Sequence, residues 1–132
     1  MRIMLTAALT GFMATTAVAN PPLREVKEIN DGLLYVGLAD EIRKNCDSIS
    51  GRIFKGIGRL RAIHKQAQDM GYSKEEIETF VDSRAEKNRL KARGRAYLKA
   101  NGASLEDKES LCALGREEIA KGSAIGSLLY EN

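Results

Sequence analysis

Apolar positions recur along this chain at steps of three and four, the spacing that stacks side chains on one helical face. Leu34, Tyr35, Leu38, Ala39, Ile42 and Cys46 share such a face. Asp40, Glu41, Arg43 and Lys44 fall mostly off it, which predicts an amphipathic first helix. Two starts are open to it: near Leu23, after Asn20-Pro21-Pro22, or after Asn30-Asp31-Gly32 acting as an N-cap turn. Asp47-Ser48-Ile49-Ser50 interrupts the pattern, with Ser50 or Ser48 available to cap a second helix from about Gly51 to Met70. There Ile53, Ile57, Leu60, His64 and Ala67 form the expected buried stripe, while Arg52, Lys55, Arg59 and Lys65 face away. Gly71 ends it.

The third helix has the sharpest start. Ser73 and Glu76 are spaced as a capping box, and Tyr72 and Ile77 as a hydrophobic staple. The pattern runs to about Ala100, where Asn101-Gly102 stops it. Its apolar face of Ile77, Phe80, Val81 and Ala85 weakens beyond Arg84, so this helix is expected to leave the core halfway or lie along its edge. A fourth helix opens over Ser104 to Glu109, with acids at the positive end of its dipole, and continues to about Tyr130. Cys112, Gly115, Ile119, Gly122, Gly126 and Leu129 share one of its faces. Three glycines there are each unfavourable by about 1 kcal/mol, which implies close approach of another backbone. That makes Cys112 to Leu129 the expected central packing helix. No stretch reads as a strand pair, and no repeat is visible. The predicted fold is all-α: a compact bundle of about four helices in one domain over residues 20–132.

The beginning of the chain changes the picture. Arg2, the apolar run Ile3 to Met13 and the small-x-small triplet Ala17-Val18-Ala19 have the layout of a secretory signal peptide over residues 1–19. The run is shorter than the roughly 20 residues needed to span a bilayer, and no later stretch qualifies. The expected product is a soluble exported protein, periplasmic or secreted, beginning at Asn20. In an oxidising compartment the two cysteines, Cys46 and Cys112, are expected to pair, with two free thiols as the alternative. The formal charge of +3 falls by one when Arg2 is removed, a balance that indicates no particular partner.

Candidate chemistry is sparse. Arg84, Lys87, Arg89, Lys91, Arg93, Arg95 and Lys99 could offer an anion-binding surface, centred on Arg89, Arg93 and Arg95, for lipid head groups or cell-wall polymer. They point in nearly every direction around a helix, however, and acids first with bases last is what the helix dipole favours. Nucleic acid is not an expected partner of an exported protein. His64 is a lone histidine without converging ligands, so neither a metal nor a haem site is expected, and no other cofactor. It reads as a core or core-edge residue. Glu118 falls inside the apolar arc of its helix, among Leu111, Leu114, Gly115, Gly122 and Ile125. A buried carboxylate needs a partner, and His64 or Arg43 is the expected donor. Glu109-Ser110 followed by Gly122-Ser123-Ala124-Ile125-Gly126 has a faint likeness to lytic transglycosylases, but the Met-Gln that should follow is missing. No catalytic residue is expected.

Three segments together resemble one known family. They are Ala39-Asp40-Glu41-Ile42-Arg43-Lys44-Asn45-Cys46, Gly71-Tyr72-Ser73, and Cys112-Ala113-Leu114-Gly115-Arg116-Glu117-Glu118-Ile119 with Gly122-Ser123-Ala124-Ile125-Gly126. The chain is similar over about Ile29 to Leu129 to small exported bacterial proteins catalogued as domain of unknown function 5333. The resemblance implies export and the two-cysteine layout, and no mechanism. The function expected is a non-catalytic binding or interaction module of the cell envelope, its partner an envelope protein or an anionic envelope component. An acid- or stress-responsive periplasmic chaperone is the alternative, and a cell-wall glycan-cleaving enzyme the remote one.

Overall fold

The structure, a computed structural model, describes Gly11, Ala14 and residues 19–132. The signal peptide expected over residues 1–19 lies outside the described residues apart from Gly11, Ala14 and Ala19. The fold is all-α in its main elements, with five α-helices among the described residues where about four were expected. They are α1 (Lys27–Asn45), α2 (Ile53–Asp69), α3 (Lys74–Asp82), α4 (Arg84–Ala100) and α5 (Lys108–Lys121).

The fifth helix comes from a break at Ser83. That residue is extended, at φ −64° and ψ 122°, and its hydroxyl accepts from the Glu86 N–H at 3.3 Å. Ser83 to Glu86 thus repeats the spacing seen at Ser73, whose hydroxyl accepts from Glu76 N–H at 3.0 Å. One expected helix becomes two. The other end signals hold: Gly71 and Gly102 take φ of 102° and 73° just past α2 and α4.

The largest departure is at the C-terminus. α5 ends at Lys121, because Gly122 turns left-handed at φ 62°. The N–H groups of Gly122 and Ser123 then bond back to the carbonyls of Ile119 (3.0 Å) and Glu118 (3.2 Å), closing a Schellman motif. The chain returns through a 3-10 turn, Gly126–Leu128, into a short strand, β2 (Leu129–Glu131). β2 pairs antiparallel with β1 (Ile49–Gly51), setting Ser50 opposite Tyr130. No strand pair was expected. Three residues are too few for alternation to show, and the pairing joins segments that lie on either side of α2 to α5 in the sequence.

The central element is α1, not the stretch from Cys112 to Leu129. α1 touches α2, α4, α5, β1 and both 3-10 turns. A helix surrounded in this way must be apolar on more than one side. One side joins Leu38, Ile42 and Cys46 to Leu111, Leu114, Ile125 and Leu129 in the larger core. The other joins Ile29 to Leu23, Ile63, Ala67, Tyr72 and Ile77 in a smaller one. The first helix also starts later than one expectation and earlier than the other. Leu23–Glu25 is a separate 3-10 turn, and Asn30-Asp31-Gly32 lies inside α1.

Cys46 and Cys112 form a disulfide, Cα to Cα 5.4 Å, that ties the end of α1 to α5. Gly115 lies one turn further along α5. A Cβ there would come within 2.5 Å of Ile49 Cδ1 and 2.8 Å of Ile42 Cγ2. Its lack of a side chain therefore admits α1 and β1, the close approach expected of this glycine. Gly122 and Gly126 do other work, as cap and turn.

Candidate functional site

α2 enters from the strand pair without a side-chain cap; neither Ser48 nor Ser50 plays that part, since Ser50 lies in β1. Arg52 fixes the entry instead. Its Nε donates to the Leu129 carbonyl at 3.3 Å, and its guanidinium lies over the Tyr130 ring, 5.3 Å from the centroid. The helix then meets α1 through small residues. Ile63 packs where Gly32 has no side chain; a Cβ at Gly32 would stand 2.9 Å from Ile63 Cδ1. Ile63 and Ala67 are the buried positions of α2.

This contact rotates the helix away from expectation. Of the predicted stripe only Ala67 is buried, and His64 is half-buried at the core edge. Ile53 is 52% exposed, and Ile57 and Leu60 are each 42% exposed, with Phe54 beside them at 90%. The apolar arc of α2 is wider than the contact that α1 offers, so about half of it stays in solvent. The stripe borders a groove of about 450 Å³ between α2 and α1, walled further in by Leu33, Val36 and Leu90. Four cations ride on the same helix, Lys55, Arg59, Arg61 and Lys65, against a single acid, Asp69. Lys65 pairs with Asp69 at 2.8 Å. Lys55, Arg59 and Arg61 have no ion-pair partner among the described residues.

The residues singled out for buried polar chemistry are not brought together. Glu118 is 2% exposed, as its place in the apolar arc implied. Its partners are neither His64 nor Arg43. Tyr97 donates its hydroxyl to Glu118 Oε1 at 2.8 Å, and Ser123 donates to Oε2. Ser123 Oγ also accepts from the Gly126 N–H at 2.9 Å. Glu118 therefore anchors the return of the chain after α5. Burial, and then donation to the Glu118 carboxylate, pushes the Tyr97 hydroxyl up to about 12, so it stays a donor at any physiological pH. Replacing Glu118 by leucine leaves the Tyr97 hydroxyl without an acceptor and Ser123 with only the Glu118 carbonyl, 3.4 Å away. We expect a loss of about 2 kcal/mol, read as a lower urea midpoint; an unchanged midpoint would show that water satisfies both groups. Arg43 instead pairs with Asp40 at 2.6 Å, its aliphatic stem against Gly51.

The arginines of α4 do not form one cationic face. Arg89 donates to Asn30 Oδ1 at 2.5 Å and to Glu86 at 2.8 Å. Arg93 pairs with Asp31 at 2.8 Å. Both tie α4 to the start of α1. Of Arg89, Arg93 and Arg95 only the last stands largely open, 3.7 Å from Glu106, and Arg84 at the helix start is exposed as well. Donation from Arg93, and next from Lys27, holds the Asp31 carboxyl below the usual carboxylate range. A depressed folded pKa stabilises the fold above the unfolded value, and that contribution fades as acid takes the pH down through the folded one. Asn30 was not singled out from the sequence. It is 3% exposed and donates to the Leu23 and Val26 carbonyls at 2.8 and 2.7 Å. An asparagine amid Ile29, Leu33 and Leu34 was the available signal.

Among the described residues, no three His, Cys, Asp or Glu side chains converge to hold a metal ion, and no helix is long and apolar enough to cross a membrane. Glu109 is exposed, and the Ser110 hydroxyl serves the turn before α5, donating to the Asp107 carbonyl at 2.6 Å.

A family model described as a family of unknown function (DUF5333) matches residues 21–130. The chain belongs to this family. The match spans all five helices, β1 and all but the last residue of β2, so the disulfide, the Schellman turn and the α2 face all lie within the DUF5333 region. No curated protein and no solved structure matches the chain.

Proposed function

We propose that this DUF5333 protein is an exported, non-catalytic binding module of the cell envelope, and that it binds through the uncovered face of α2. The observation that carries the reading is Phe54, 90% exposed at the head of a stripe whose other members are about half exposed. Large apolar side chains grouped on one surface mark interaction sites, whereas scattered ones are ordinary. Export is supported by the leader pattern ending in Ala17-Val18-Ala19, and a disulfide suits an oxidising compartment.

Fractionation tests the binding. The disulfide-bonded protein is expected to sediment with an isolated bacterial envelope fraction, and the Phe54→Ser/Ile57→Ser double variant to remain in the supernatant with unchanged helicity. Equal partitioning of the two proteins would remove α2 as the binding face.

A further inference from the structure

We propose that what α2 binds is an anionic phospholipid surface, and that the helix lies in its headgroup layer. This rests on α2 being the binding face and adds the identity of the partner. A helix that rests in a membrane interface combines an apolar face carrying Phe or Leu with Lys and Arg on its polar side, at low net hydrophobicity. α2 has both. Ile53, Phe54, Ile57 and Leu60 stand exposed at steps of one, three and three, and Lys55, Arg59 and Lys65 lie outside the arc they span. Protein interfaces, by contrast, deplete charge around their apolar centres.

The placement of charge sharpens the choice. By helical periodicity, Arg61 falls between Ile57 and Phe54 and Lys65 flanks Phe54, where a headgroup phosphate would meet an inserting side chain. Long cationic side chains can lie their stems along apolar surface and lift their charge to the phosphates. The one acid, Asp69, sits at the last position of the helix. Beside the stripe, Leu33, Val36 and Leu90 extend the apolar surface into the groove against α1. Insertion therefore buries more than the helix alone. Among the described residues no helix is long and apolar enough to cross the bilayer, so the proposed contact is interfacial.

Vesicles of defined composition test this. The disulfide-bonded protein is expected to co-sediment with phosphatidylglycerol vesicles and to release as salt rises, because exposed charges are screened over about 10 Å at 0.1 M ionic strength. Binding to phosphatidylcholine vesicles is expected to be at least tenfold weaker. Each cation near an anionic surface contributes about fivefold, so Arg61→Glu/Lys65→Glu should lose twentyfold or more. Phe54→Ser, which leaves the charge unchanged, should lose about tenfold. The chain has no tryptophan, so Phe54→Trp supplies a single reporter whose emission should shift to the blue with phosphatidylglycerol vesicles only. Equal binding to both lipids, or full binding by Phe54→Ser, would overturn the proposal. If the envelope fraction captures the protein through Phe54 but phosphatidylglycerol vesicles do not, the lipid identity falls and the binding face stands. A dimer in solution that Phe54→Ser dissolves, without vesicle binding, would assign the face to a second copy and also overturn the lipid.

Discussion

Removing the bridge with Cys46→Ala/Cys112→Ala is expected to lower the unfolding free energy by about 4 kcal/mol. The two cysteines are 66 residues apart, and α2, α3 and α4 all lie inside the loop they close. Cutting the bridge gives the unfolded chain back the entropy of that whole loop. The native state loses little in exchange, because Cys46 is 1% exposed and stays packed against β1 and α5 as an alanine would. Against a typical stability of about 5–15 kcal/mol, such a loss is a large share. Denaturant unfolding of the oxidised protein and the double variant measures it. Unfolding free energies that agree within about 0.5 kcal/mol would mean that the unfolded chain is already compact without the bond. A mass gain of two hydrogens on reduction provides a check on the bond itself.

The second large effect is at Gly126. A Cβ added there would stand 1.9 Å from the Glu118 carbonyl oxygen, 2.2 Å from its carbon and 2.5 Å from the Ile119 nitrogen. All three are backbone atoms of α5, so no side chain can swing aside. The turn must lift off the end of the helix, and Ile125, Leu128 and Leu129, all at least 96% buried, move with it. Gly126→Ala is therefore expected to destabilise by about 3 kcal/mol or more, at the upper end of overpacking effects. Gly122→Ala makes the comparison informative. Nothing lies within 4 Å of that site, and its cost is the left-handed φ of 62°, about 1 kcal/mol. Thermal unfolding should rank Gly126→Ala well below Gly122→Ala. The reverse order would show that the turn is more compliant than its contacts suggest.

Gly122 and Gly126 also show where sequence patterning misleads. Read at steps of three and four with Cys112, Gly115 and Ile119, they continue a helical stripe without a fault. Yet Gly122 marks an equally good helix end, a glycine of positive φ like Gly71 and Gly102. Periodicity could not choose between the two. The choice follows from Glu118, whose carboxylate holds Ser123 and through it the Gly126 N–H. Ser83 is as legible as Ser73: Ser83-x-x-Glu86 repeats the spacing of Ser73-x-x-Glu76. A continuing helical pattern hid the break.

α2 records the opposite limit. Its amphipathic character was plain, and Ile53, Ile57, Leu60 and His64 do lie along one side. Which part of a wide apolar arc becomes buried depends on the neighbour, and here Gly32 receives Ile63, turning the rest outward. The candidate site exists because of that rotation, so no pattern within α2 could have located it.

Local signals alone were enough for the helical class, the boundaries at Ser73, Gly71 and Gly102, the pairing partners Cys46 and Cys112, and the burial of Glu118. Each depends on a residue's own chemistry and on neighbours a few positions away. Tertiary structure decided the rest: α1 as the central helix, the β1–β2 pair, the Tyr97 and Ser123 partners of Glu118, the inward use of Arg89 and Arg93, and the exposed face of α2. These turn on which surfaces meet across long sequence separations. Packing settles that competition by shape and by the need to pair every buried polar group, and neither quantity is written in the spacing of residues along one helix.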